Sequence, residues 1–140
     1  MPTSSMGKFN SFVEYLAEKA IDLQNDTFKV AFCAAANAPT SSNTVLANLT
    51  TATTNADSVT LTVSSSSQTS GTYTLLFADK TITATAGGIG PFRYAVVYDD
   101  TPTSPADPLV CYYDYGSDIT VASGETFTLN WTTSTFTIGP

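Results

Sequence analysis

Apolar residues follow a helical spacing once, near the start of the chain, and a strand spacing almost everywhere after it. Phe9, Phe12, Val13, Leu16, Ala20 and Leu23 recur at i, i+3, i+4 and i+7, which predicts an amphipathic helix over 8–24. Glu14 and Glu18 fall on its other side, and Asn25-Asp26 supplies turn-favouring side chains at its end. The polar stretch 1–7 ahead of it reads as a flexible N-terminal arm. From Phe28 onward the period changes to two: Phe28, Val30 and Phe32 alternate with Lys29, Ala31 and Cys33, and Val59, Leu61 and Val63 alternate with Thr60 and Thr62. Further strands are predicted over 73–78, 81–85, 93–98, 109–115 and 119–121, then around Phe127–Trp131 and Phe136–Ile138. The run 93–98 is apolar at successive positions, the signature of a strand covered on both faces. Gly87-Gly88-Ile89-Gly90-Pro91 reads as a break between strands, and 99–108, with Pro102, Pro105 and Pro108, as a long stiffened loop.

Eight to ten short strands with regular turn signals argue for an antiparallel β-sandwich, and the count suits a jelly roll. The expected organisation is a flexible arm over 1–7 and one mainly β domain over 8–140, opened by its single helix. A chain of 140 residues is long enough to bury a sizeable core.

Composition changes this picture in one respect. Charged residues make up only 12% of the chain, about half the usual share, and Thr and Ser take their place. An exterior of that kind suits contact with other protein. The net charge is −7, and the five basic residues Lys8, Lys19, Lys29, Lys80 and Arg93 are scattered. Neither nucleic acid nor a membrane is therefore an expected partner. No stretch approaches the length of an apolar membrane span, and no leader sequence is read at the N-terminus.

The candidate chemistry is thin. The chain has no His, so a Ser or Cys nucleophile lacks its usual base and a metal its commonest ligand. The Gly87–Pro91 segment lacks the Lys-[ST] of a phosphate loop. Asp99, Asp100, Asp107, Asp114 and Asp118 cluster in sequence without the spacing of a calcium loop and read as solvated carboxylates. Asp114 and Asp118 flank the aromatic run Tyr112, Tyr113 and Tyr115, a pattern open to a glycosidase pair or a sugar platform but commoner in core and interface. Cys33 and Cys111 lie in apolar runs and read as small buried hydrophobes, with a disulfide as the alternative. The expectation is a protein without enzymatic activity, catalytic residues, metal or cofactor.

The string GGIGPFRYAVVYDD, Gly87 to Asp100, carries a resemblance. Together with Asp107-Pro108-Leu109, Asp114-Tyr115-Gly116-Ser117 and Gly124-Glu125-Thr126-Phe127-Thr128, it resembles a family of small tailed-bacteriophage virion proteins. Phe9 to Leu16, Asp26-Thr27-Phe28-Lys29-Val30-Ala31, Ser65-Ser66-Ser67-Gln68-Thr69 and Gly71-Thr72-Tyr73 extend the likeness over about residues 8–138. Among virion roles the chain looks like a capsid decoration, or cement, protein. The resemblance implies a homodimer or homotrimer on the outer surface of the head, made in the bacterial host cytoplasm, that clamps neighbouring subunits of the major capsid protein. The alternative is a tail or fibre-associated virion protein that binds a host glycan. The acidic charge fits an outer position, since packaged DNA would repel it. The expected contact elements are the polar arm, Met1, Pro2, Thr3, Ser4 and Ser5, and the long loop, with Asp99, Asp100, Pro102 and Pro105.

Overall fold

The computed structural model describes residues 5–131 and 136–139. In chain order the elements are β1 (Ser5–Lys8), α1 (Asn10–Ala17), β2 (Phe28–Cys33), β3 (Thr54–Ala56), β4 (Val63–Thr69), β5 (Thr72–Phe77), β6 (Lys80–Asp99), β7 (Leu109–Val121), β8 (Thr126–Leu129) and β9 (Phe136–Ile138). Short 3₁₀ turns occur at Ala35–Asn37 and Leu46–Asn48. The larger sheet has the order β1-β7-β6-β2, with β3 and β8 also paired to β6, and the smaller has the order β4-β5-β9. All the pairings are antiparallel. The expected mainly β sandwich with one N-terminal helix is therefore the architecture. Its sheets hold six and three strands, however, and the sequential pairs β4–β5 and β6–β7 are neighbours within a sheet. The other pairings, β1–β7, β2–β6, β3–β6, β6–β8 and β5–β9, join strands that are not consecutive in the chain.

The glycine segment expected to break the chain instead bends one long strand. Lys80 to Thr83 of β6 pair with β8, and Tyr94 to Asp99 pair with β2. Between them Gly87, Gly88 and Gly90 have φ of 101°, 72° and 101°, and the β6–β7 register shifts between Ile89 and Phe92. A Cβ at Gly88 would lie 2.6 Å from the Val121 carbonyl oxygen, so both backbone angle and close approach demand glycine there.

The main core lies between the sheets. Phe28, Val30 and Phe32 of β2 meet Leu75 and Phe77 of β5, with Ile82, Ile89 and Phe92 of β6 in the same cluster. Phe32, Phe92 and Phe127 form an aromatic knot, with ring centroids 4.4, 5.2 and 6.1 Å apart. A smaller cluster of Phe9, Cys33, Val96, Tyr98 and Leu109 lies on the other face of the larger sheet, against Leu46 and Leu49. The second half of β6 is thus covered on both sides, as its unbroken apolar run predicts.

Two expectations about the N-terminal region are corrected. The helix is Asn10–Ala17, far shorter than 8–24. Lys19 has a positive φ of 62°, and the amides of Ala20 and Ile21 both donate to the Tyr15 carbonyl. The chain turns there and delivers Ile21 and Leu23 to the core from a loop. The Asp22 carboxylate fixes that loop by accepting from the amides of Gln24 and Asn25. The flexible arm is corrected at its second half: Ser5–Lys8 is an edge strand, paired with β7 in the register Ser5↔Asp114 to Lys8↔Cys111. Met1, Pro2, Thr3 and Ser4 lie outside the described residues.

Gly7 is what lets β1 dock. A Cβ there would lie 2.3 Å from Cζ of Tyr112, whose ring is held by Phe9 at 5.1 Å. Gly7→Ala is expected to destabilise the fold by about 1–3 kcal/mol through overpacking. Hydrogen exchange should show the loss concentrated in the β1 amides. Equal protection of β1 in both proteins would contradict this.

Candidate partner-docking surface

The long loop 99–108 is pinned at both ends. Asp99, the last residue of β6, is fully buried. Its amide donates to the Pro108 carbonyl, and its Oδ1 accepts from the Thr101 amide at 3.0 Å. Its Oδ2 is buried without a hydrogen-bond partner among the described residues. Burial first, and then the neighbouring Asp26 carboxyl, pushes the Asp99 carboxyl up to about 8. Asp100 pairs with Lys29 at 2.7 Å, which raises the lysine, and the Asp100 amide donates to the Thr27 carbonyl. The Leu46 amide reaches the Asp107 carbonyl, and the Leu109 amide the Thr44 carbonyl.

The expected contact residues therefore divide. Asp99 is corrected: a carboxyl with no exposed surface anchors the loop from inside and cannot touch a partner. Asp100 is exposed, and Pro102 and Pro105 are half-buried. Of the expected arm only Ser5 is described, and it lies away from the loop. Ser5 lies opposite Asp114, five residues along β7 from Leu109, where the loop ends. That separates them by roughly 17 Å along the strand.

The remaining polar candidates are occupied structurally. Asp114 accepts from Arg93 through Nε at 2.7 Å and Nη2 at 3.0 Å, and from the Gly116 amide at 2.8 Å. The Arg93 guanidinium, in the first place, holds the Asp114 carboxyl below its ordinary value. Asp118 accepts from the Ala35 amide at 2.9 Å. Carboxylates engaged in this way are poorly placed for acid–base work. The β7 tyrosines turn to separate neighbours: Tyr112 to Phe9 and Tyr94, Tyr113 to Trp131, and Tyr115 to Phe127. They do not line up as one sugar platform. Among the described residues, no three His, Cys, Asp or Glu side chains converge to hold a metal.

Cys33 and Cys111 are free thiols. They belong to clusters on opposite faces of the larger sheet, so the disulfide alternative falls to geometry. Burial raises the thiols to about 11 and about 12, which keeps them protonated and inert.

The surface that sequence reasoning missed lies at the open side of the sandwich. β1 ends the larger sheet and β9 ends the smaller, so among the described residues each leaves an edge without a strand partner. α1 lies between them, with Phe12 against Phe136 of β9 edge-on at 5.4 Å. At eight residues the helix is too short to fill the gap. What remains is a cavity of about 280 Å³ lined by Met6, Lys8, Val13, Leu16, Val110 and Ile138 among others. Met6, Val13 and Ile138 are the exposed large hydrophobic residues of the described chain, and all three lie here. The one signal in the sequence was Val13, which widens the helix's apolar stripe beyond what the core can cover.

Comparison of the chain with protein-family models, with curated proteins and with solved structures returns no match.

Proposed function

We propose that this protein is a non-enzymatic virion component, a capsid decoration protein that binds the outer surface of a bacteriophage head and ties neighbouring major capsid subunits together. The observation that carries the reading is the open side of the sandwich: two sheet edges without a strand partner among the described residues and a concentrated apolar patch form a surface for protein contact. Three further features support it. The second half of β6 is packed on both faces, which suits a body that holds its shape under load. The carboxylates with candidate chemistry are tied into ion pairs and backbone caps. The net charge of −7 disfavours a position against packaged DNA. The resemblance of Gly87–Asp100 and its companion segments points to the same role.

The mechanism is additive. A thin shell under internal pressure is strained outward, and a rigid sandwich bridging adjacent subunits adds buried contact across each seam. Symmetry repeats that contact over the shell, so modest interfaces hold together through avidity. Gold-labelled protein added to heads that lack it is expected to decorate the shell in negative-stain images and to raise the temperature at which the heads release DNA. Label confined to tails or fibres would replace this reading with the glycan-binding alternative. Removing residues 1–4 is expected to lower head occupancy while leaving the fold intact, as measured by quantitative gel analysis of washed particles.

A further inference from the structure

We infer that the groove between β1, α1 and β9 seats an extended segment of a partner chain that carries a carboxylate, and that the segment adds to the β1 edge as a further strand. The inference deepens the decoration reading and rests on it for the identity of the partner, whereas the chemistry comes from the groove. Strand addition at an exposed edge draws affinity from main-chain hydrogen bonds and specificity from pockets for alternate side chains. Both parts are present. Among the described residues β1 pairs with β7 on one side alone, which leaves alternate backbone groups of the other side without a strand partner there. Gly7 faces Tyr112, so the alternation turns Met6 and Lys8 together toward the groove, and both line it.

The dimensions and charge select the occupant. A cavity of about 280 Å³ is about twice one that holds a benzene ring and falls below the usual range for drug-sized ligands. It suits two or three apolar side chains of a strand. Lys8 is the single charged residue in the lining. The ion pairs among the described residues are Lys29–Asp100 and Arg93–Asp114, so Lys8 is not committed to either. An ammonium beside an apolar slot favours a carboxylate flanked by apolar residues. A second copy fits less well. It brings the same acidic surface and, across a two-fold β1–β1 pairing, another Lys8.

The test uses the full-length protein, immobilised, with a library of octapeptides that alternate apolar residues with Ser or Thr and carry Asp, Ser or Lys at one central polar position. Wild-type protein is expected to retain the Asp peptides over the Lys peptides by roughly tenfold, which corresponds to about 1.4 kcal/mol. Lys8→Glu is expected to reverse that order. Val13→Glu, on an exposed helical position, is expected to abolish retention with the circular dichroism unchanged. Exchange of the β1 amides should slow in the complex. Retention no better than that of Val13→Glu, or a charge preference that ignores Lys8→Glu, overturns the inference. So does self-association through β1 that excludes the peptides, which would assign the groove to a second copy. Failure of head decoration alongside charge-selective retention would strike the decoration role and leave the groove's chemistry standing.

Discussion

Asp99→Asn is expected to raise stability at pH 8 by on the order of 2–4 kcal/mol and to flatten the pH dependence of unfolding between about pH 4 and pH 8. The side chain is fully buried, and one of its oxygens has no partner among the described residues. Its carboxyl is pushed from the ordinary 3.8 up to about 8, by burial first and by Asp26 second. Between those values the folded protein holds a proton that the unfolded chain has released. Stability therefore falls as pH rises through the window, by up to about 1.4 kcal/mol per pH unit for this one group. Below pH 4 its contribution is whole; above pH 8 the fold must keep a carboxylate out of water. Asn keeps an oxygen for the Thr101 amide and offers Asp26 a donor at every pH. Asp22, Asp57 and Asp114 are lowered instead, chiefly by Asn25, by the Thr83 amide and by Arg93 respectively. Their contributions are lost only as pH falls below the ordinary carboxylate range, so they leave the upper window to Asp99. Urea unfolding of both proteins at pH 5, 6.5 and 8 measures this. A wild-type midpoint that stays level from pH 5 to 8 would show that the buried carboxyl does not titrate as described.

The largest loss is expected from Phe32→Ala, about 3–5 kcal/mol. Phe32 has no exposed surface and sits at the centre of the aromatic knot, with Phe92 and Phe127 on it. Removing the ring deletes its transfer energy and the paired ring contacts, and it leaves a void that three strands of the larger sheet cannot close without moving. A loss of that size is a large part of the stability of a typical domain. Phe32→Leu, which refills most of the volume, should recover more than half of it. Thermal unfolding of the two variants would separate a packing defect from a loss of aromatic contact. Equal destabilisation by Leu and Ala would point to the rings rather than to the volume.

The sequence by itself determined the class of fold. Period-two alternation at Phe28–Phe32 and the double-sided apolar run at 93–98 both mark β2 and β6, because side-chain alternation along a strand is local geometry. It likewise determined that His chemistry is absent, and it placed Cys33 and Cys111 in apolar runs, whereas their position on opposite faces of the larger sheet was needed to set a disulfide aside. Only the tertiary structure decided where elements stop and which surfaces stay open. Ile21 and Leu23 bear the same apolar signature in a helix or in a loop that reaches the core, and Lys19 at positive φ selects the loop. Gly87, Gly88 and Gly90 announce unusual backbone angles, yet a bulge and a break need the same residues, and pairing with β7 makes the bulge. The polar Ser5–Lys8 becomes a strand because Tyr112 accepts Gly7 from across the sheet. Asp99 reads as a solvated loop carboxylate until Asp26, Thr101 and Pro108 close around it, and the groove exists only where α1, β1 and β9 converge. Periodicity reports the conformation of a few neighbouring residues, whereas burial and exposure are set by segments far apart in the chain.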